Sequence, residues 1–226
     1  MPILRRVSDC GSNALLIWGD GRARADALPP LSGGSIGRVA SVVGVILGAG
    51  WSRRLGRPKQ TLPLGDTTLL GWVVREAETS SLDHVVVVAR GDLDTVRAEV
   101  ARPDGSDTTC SASLKAGLAA AGDCDAVMLL LGDTPGIDAS LIDAVRAAWE
   151  STRPWALATE YADGVGHPLV FAAEALPALR LLRGEKKVWQ LLESEPQRVQ
   201  HVLLERPLPR DVDDWDDYEA LLEAFA

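Results

Sequence analysis

From residue 42 onward, short apolar runs alternate with longer stretches in which apolar side chains return at every third or fourth position. The β-branched runs at Val42–Leu47 and at residues 85–88, and an apolar run at Ala126–Leu131 that ends in glycine, have the length of buried strands. Residues 69–78, 93–101, 113–121 and 140–149 carry the spacing of helices with one apolar face. The pattern then predicts a strand over Ala156–Tyr161, an extended stretch over 167–171, helices near 173–182 and 188–193, a strand over Val199–Leu204 and a last helix over 215–225. Strand and helix in alternation predict an α/β fold: a doubly wound, largely parallel sheet with helices on both faces and its ligand at the carboxyl ends of the strands.

Residues 1–40 differ in character. Pro29-Pro30, a Ser-Gly-Gly-Ser stretch and GDGRARAD interrupt a single apolar patch from Ala14 to Trp18. They read as an N-terminal extension to a domain over 41–226: a docked hairpin, a loose arm, or the product of a start site placed too early. The remainder of the 226 residues is enough for one full core. Of the tryptophans, Trp51, Trp72, Trp149, Trp155 and Trp215 are spread singly and read as packing anchors.

Composition narrows the function. A net charge of −9 argues against a nucleic-acid surface, which needs clustered cations, but leaves room for a small phosphate-bearing substrate in a local basic pocket. Cys10, Cys110 and Cys124 share no metal or disulfide spacing and suit a reducing cytoplasm. No apolar run approaches the roughly twenty residues of a membrane span, and the N-terminus shows no signal-peptide pattern, so a cytosolic protein without a membrane partner is expected.

The basic pocket has an obvious candidate. Residues 45–63, VILGAGWSRRLGRPKQTLP, run from a strand into a glycine loop bearing Arg53, Arg54, Arg57 and Lys59. Gly48 and Gly50 permit close approach of backbone N–H groups to an anion, and the cations supply the charge that amides lack. The dinucleotide fingerprint would need glycine at Arg53, and a Walker loop would need lysine at Arg57, so both fail. An ordinary strand-to-helix turn with solvated arginines is the plain alternative.

The stretch resembles the L-x-x-G-x-S-x-R-x-G-x-x-K signature of the MobA-like nucleotidyltransferases, matched at Leu47, Gly50, Ser52, Arg54, Gly56 and Lys59, with Pro58 and Leu62-Pro63 fitting as well. Further segments extend the resemblance over about residues 42–218. In LLLGDTPG (129–136) a strand delivers Asp133 to the carboxyl edge of the sheet, where a carboxylate can hold Mg²⁺ or cap the next helix. DVDDWDDY (211–218) is similar to the D-I-D-T-P-E-D-Y ending of the cytidylyltransferase branch. It makes Asp213 the second Mg²⁺ ligand, with Asp211 in reserve and Asp214, Asp216 and Asp217 read as favouring a helix start. SASLKAGL (111–118) looks like the helix start near the nucleotide base, with Ser111 and Ser113 as base or ribose contacts, although an N-cap role explains Ser111 nearly as well. GVGHPLVF (164–171) resembles the G-H-P-x-x-F acceptor motif of the molybdenum cofactor cytidylyltransferases, with Gly166, His167 and Pro168 as acceptor contacts, whereas His84 and His201 read as structural.

The resemblance implies transfer of CMP from CTP to the phosphate of a molybdopterin-type acceptor, with Arg54, Lys59 and Asp133 as catalytic residues and Mg²⁺ as cofactor. Leu47, Gly48, Ala49, Gly50, Ser52 and Arg53 complete the nucleotide site. A recipient molybdoenzyme of the xanthine dehydrogenase type is the implied partner. Ala49 matches the cytidine users rather than the guanylyl branch, which has glycine there, while Gly48 and GEKKVW (184–189) depart from the usual pattern. Transfer of another nucleotide, transfer to another phosphorylated acceptor, and a non-catalytic cofactor-delivery protein stand as alternatives.

Overall fold

The computed structural model describes residues 40–50, 54–90, 98–103, 109–185 and 187–225, together with the backbone of a strand at Leu15–Trp18. The strands are β1 (Leu15–Trp18), β2 (Val42–Leu47), β3 (Pro63–Leu64), β4 (Thr67–Thr68), β5 (His84–Val88), β6 (Glu99–Ala101), β7 (Ala126–Leu131), β8 (Ala156–Tyr161), β9 (Gly164–Ala172) and β10 (Val199–Leu204). The helices are α1 (Leu69–Thr79), α2 (Cys110–Ala120), α3 (Ala139–Thr152), α4 (Leu176–Leu181), α5 (Lys187–Ser194) and α6 (Trp215–Ala224). Eight strands form one sheet in the order β1-β10-β8-β9-β7-β2-β5-β6, and β3 and β4 pair as a small hairpin. Six of the eight run the same way; β9 and β1 are antiparallel to their neighbours.

Alternation along β2 shows how both faces are filled. Val42 and Ile46 join one buried cluster with Leu70 and Val73 of α1 and Leu141, Val145 and Trp149 of α3. Val43 and Val45 join the opposite cluster with Leu114 and Leu118 of α2, Leu179 of α4 and Leu192 of α5. A strand covered on both faces reads as a continuous apolar run, which is what the sequence shows here. The helix starts are capped locally: the Thr68 side chain accepts from Gly71 N–H at α1, and Asp138 accepts from Leu141 N–H at α3.

A third, smaller cluster holds the functional end together. Leu55, Leu62, Leu64 and Leu69 pack with Val212 and Tyr218, and the Tyr218 hydroxyl donates to the Pro63 carbonyl at 2.6 Å. This docks the segment after β2 against the acidic stretch before α6.

Two local expectations are corrected, and one element had none. Residues 99–101 are a strand paired in parallel with Val86–Val88, not the end of a helix; the rest of that expected helix, 93–97, lies outside the described residues. The β3–β4 hairpin, turning through Gly65 at φ 58, has strands too short to leave a periodic signal. The helix expected over 173–182 divides into a 3₁₀ turn, Ala173–Ala175, and α4. The apolar patch of the N-terminal stretch supplies β1, which pairs antiparallel with β10.

Candidate active site

The chain leaves β2 toward β5 and β6 on one side, then returns through α2 to β7 on the other. A crevice therefore opens between the carboxyl ends of β2 and β7, the place where open α/β sheets take their ligands. Gly132 N–H donates to the Leu47 carbonyl at 3.0 Å, and Gly48 N–H donates to the Val88 carbonyl at 2.8 Å, closing the floor of the crevice. A Cβ at Gly132 would lie 2.6 Å from Leu70 and 3.2 Å from the Gly48 Cα, so glycine is required for this approach. One residue later the chain presents Asp133. Gly50, by contrast, is open: among the described residues a Cβ there would meet nothing within 4 Å. Ala49 is buried, its methyl packed into the α2-side cluster.

Lys59 begins a 3₁₀ turn, Lys59–Thr61, set by the extended Pro58. Its ammonium forms an ion pair with Asp133 Oδ2, a second with Asp213 Oδ1 at 3.0 Å, and donates to the Val212 carbonyl at 2.9 Å. The side chains of Lys59 and Asp133 are only 12 % and 17 % exposed. Arg54 Nη1 stands 3.6 Å from Asp213 Oδ2 and is 68 % exposed, so it is the cation with room to move. Val212 N–H donates to the Asp133 backbone carbonyl at 3.0 Å, which fixes the acidic stretch beside the end of β7.

Asp133, Asp211 and Asp213 each offer a carboxylate oxygen within 4.8 Å of the others. Hard oxygens so grouped, already gathered on a cation, are the donor set a Mg²⁺ or Mn²⁺ ion takes. Burial pulls Lys59 downward, yet the Asp133 and Asp213 carboxylates outweigh it and leave the ammonium above its usual range. Burial pushes Asp133 upward, Lys59 opposes and Asp211 adds to the rise. The cluster thus holds more negative charge than one ammonium offsets. Asp214 and Asp217 are otherwise occupied: together they form the capping box of α6.

At the neighbouring strand ends, α2 starts at Cys110, and the residue whose side chain caps it is Thr109 rather than Ser111. Ser111 is buried; its Oγ accepts from Gly184 N–H at 2.8 Å and its N–H donates to the Gly184 carbonyl at 3.3 Å. Glu185 Oε2 accepts from Cys110 N–H at 3.3 Å. The departing GEKKVW segment is therefore latched to the helix start. Ser113, two residues further on, is buried as well.

Because β9 is antiparallel to β7 with Leu129 opposite Leu169, the start of β9 with His167 lies toward the carboxyl end of β7, the edge of the sheet that also carries Asp133. A Cβ at Gly166 would lie 2.3 Å from Leu208, and the Thr159 hydroxyl donates to the Pro168 carbonyl at 2.6 Å, so both flanking residues are held tightly. The His167 ring meets Trp189 edge-on at 5.7 Å between centroids. Loss of hydration pushes the imidazole down to about 4, and the ring is neutral at neutral pH. The unfolded chain, with histidine at its ordinary value of 6.5, then binds more protons than the native state between these two values. Stability carried by neutral His167 is complete above 6.5 and falls as the pH drops toward 4. We expect the melting temperature to decline over that window, and the decline to be shallower in His167→Gln. Identical pH dependence of melting in the two proteins counts against this environment.

Gln60 and Glu185 were not marked by the sequence pattern. Gln60 is buried, and its Nε2 donates to the carbonyls of Gly48 and Gly50. Glutamine is read as a solvated residue unless its partners are known, and these lie 10 and 12 residues upstream. Ser52 and Arg53 lie outside the described residues.

Known proteins place this arrangement. The family model of the MobA-like NTP transferase domain matches residues 44–201. The purine catabolism protein PucB of Bacillus subtilis is 26 % identical over 203 residues, covering 82 % of this chain and 98 % of PucB. The crystal structure of the Rv0371c homologue from Mycobacterium sp. strain JC1 is 38 % identical, with a TM-score of 0.71 over 81 % of this chain and 96 % of that one. Rv0371c of Mycobacterium tuberculosis, solved as a complex with manganese, is 31 % identical, with a TM-score of 0.69 over 82 % of this chain and 100 % of its own.

Proposed function

Since the chain belongs to the MobA-like NTP transferase family, we propose that it is the cytidylyl-transferring type, moving CMP from CTP to the phosphate of a molybdopterin-type acceptor. Residues 41–226 form the transferase domain in this reading, with 1–40 as its extension. The observation that carries it is the Lys59 bridge between Asp133 and Asp213 at the mouth of the β2–β7 crevice: a cation and a pair of hard carboxylates beside a glycine loop. An acceptor phosphate oxygen attacks the α-phosphorus in line, the bond to the bridging oxygen breaks, and pyrophosphate leaves. The acceptor phosphate is already ionised, so no general base is assigned.

Asp133 and Asp213, with Asp211 beside them, would hold Mg²⁺, whose bound charge offsets that of the phosphates. The manganese complex of the mycobacterial relative supports a divalent ion here. The protein's own part is positioning and neutralisation. Arg54 and Lys59 address the β- and γ-phosphates as charge moves to the leaving group, and the loop from Gly48 to Gly50, continued by Ser52 and Arg53, cradles them. Ser111, Ser113 and the start of α2 lie toward the base and ribose, and Gly166, neutral His167 and Pro168 toward the acceptor. A neutral imidazole donates a hydrogen bond without adding charge. The naming of the Bacillus relative for purine catabolism fits a recipient of the xanthine dehydrogenase type, and a protein acting in the cytoplasm.

The Asp133–Lys59–Asp213 set speaks against a delivery protein that has lost catalysis. Pyrophosphate release measured with each of four nucleoside triphosphates and a molybdopterin-type acceptor tests the reading. The Ala49 methyl, packed in the cluster that holds Leu114 and Leu118 of α2, fills space that glycine would open, so CTP should exceed GTP by about 10-fold or more in specificity, and Ala49→Gly should narrow the gap. Equal use of both nucleotides by the native protein sinks the cytidylyl assignment and leaves nucleotidyl transfer standing.

A further inference from the structure

We propose that Gln60 is a positioning residue for the triphosphate, acting through the glycine loop rather than by touching the ligand. The inference rests on the reading of that loop as the phosphate cradle. Gln60 is 8 % exposed, and its Nε2 donates to the Gly48 carbonyl and, at 2.9 Å, to the Gly50 carbonyl. Both amide hydrogens are thereby spent on the loop.

The consequence follows from peptide geometry. A carbonyl and the next N–H share one rigid trans plane and point opposite ways. Drawing the Gly48 carbonyl onto Gln60 turns the Ala49 N–H away from Gln60. Among the described residues neither the Ala49 N–H nor the Gly50 N–H has a hydrogen-bond partner; the clamp orients the Ala49 N–H directly through the Gly48 carbonyl, and the Gly50 N–H, in the plane of the Ala49 carbonyl, is held between the two pinned residues. Unpaired successive N–H groups are the elements of an anion cradle. Left unpinned, the loop would lose this arrangement among other peptide orientations before each binding event, and preorganisation is what the clamp contributes.

The other end of the amide points to the same conclusion. Gln60 Oε1 is buried and has no hydrogen-bond partner among the described residues. An apolar side chain of similar length would avoid that buried acceptor but could not donate to the two carbonyls. Lys59 precedes Gln60 in the same 3₁₀ turn, so one turn aims the ammonium at Asp133 and Asp213 and the amide at the loop. The phosphate-facing cation and the phosphate-facing N–H groups are therefore set in register with each other.

Gln60→Met, which keeps the length without donors, and Gln60→Glu, which keeps the shape with acceptors only, test this. The readouts are Kd for CTP with Mg²⁺ by calorimetry, kcat and KM for nucleotide and acceptor taken separately, and the melting temperature. We expect each variant to raise the Kd and KM for every nucleoside triphosphate by about tenfold, the size of one or two lost hydrogen bonds, with kcat and acceptor KM nearly unchanged. Nucleotide affinity equal to the native protein's in Gln60→Met, with only the melting temperature lowered, overturns the proposal and leaves Gln60 a packing residue. A native protein that binds no nucleoside triphosphate overturns the functional reading, and this inference with it.

Discussion

Asp133→Asn is expected to reduce turnover by about 10²- to 10³-fold while the protein stays folded. The oxygen of an amide is a weaker ligand than a carboxylate and carries no charge, and a divalent ion's contribution to phosphoryl chemistry is worth several kcal/mol. The position makes the loss hard to compensate. Asp133 leaves the end of β7 through Gly132, which abuts Gly48, so the carboxylate cannot be replaced by a neighbour sliding along the strand. Its backbone carbonyl also accepts from Val212 N–H, and asparagine keeps that bond. Lys59 retains Asp213 and the Val212 carbonyl, so the fold loses one ion pair and not the whole cluster. Far-ultraviolet circular dichroism should match the native protein, and Mn²⁺ affinity read by electron paramagnetic resonance should fall with the rate. Full activity in Asp133→Asn at limiting Mg²⁺ removes Asp133 from the metal site. The same experiment on Asp213→Asn and Asp211→Asn ranks the remaining two, both of which lie within 4.8 Å of it.

What the sequence disclosed and what it withheld divide along physical lines. Strands β2, β7, β8 and β10 were legible to the residue: β2 and β7 are covered on both faces and read as unbroken apolar runs, whereas β8 and β10 mix polar residues (Thr159 and Glu160, Gln200 and His201) into shorter apolar patches bounded by Pro154 and Asp163 and by Pro196 and Pro207. The edge strand β6 was not, because three partly exposed residues carry no run, and the spacing that precedes it mimics a helix. The start of α2 was displaced because its cap, Thr109, looks no different in sequence from Ser111, which is instead drawn inward to bond Gly184, 73 residues away. Lys59 and Asp133 could be brought to one place by reasoning alone, since both follow strands that end at the same edge of a doubly wound sheet. That Asp213 joins them was known only through the resemblance; physically it follows from Val212 and Tyr218 packing on Leu55, Leu62 and Leu64, a contact no local pattern announces. Gln60 shows the same limit at its sharpest: a residue type that usually faces water becomes buried because two loop carbonyls need a donor.

Lys59→Met is expected to alter rate, stability and metal affinity together, each in a direction fixed by the cluster. The ammonium sits between Asp133 and Asp213, and its removal leaves a carboxylate that is 17 % exposed without its ion pair, beside a second one whose remaining cation is the exposed Arg54 at 3.6 Å. Breaking a buried pair at one end costs about 3–5 kcal/mol; here Asp213 is 46 % exposed and solvent screens part of the repulsion, so a loss of roughly 2 kcal/mol is the reasonable expectation. Turnover should fall by about 10²-fold, because charge on the leaving pyrophosphate loses a positioned cation. The loss should be the same for CTP and GTP, since the phosphates are common to both. Metal affinity should move the other way. Ammonium and divalent ion compete for the same carboxylate oxygens, so without nucleotide Mn²⁺ should bind Lys59→Met more tightly than the native protein and raise its melting temperature by more. In the native protein, arrival of triphosphate offers Lys59 new partners and relieves that competition, which makes metal and nucleotide binding mutually favourable. In the variant the part of this linkage that comes from the competition should be lost, leaving only the direct attraction of ion and triphosphate. Thermal melting with Mn²⁺, CTP, and both together measures it directly. Equal Mn²⁺ stabilisation of the native and variant proteins would show that the metal does not share these oxygens with Lys59.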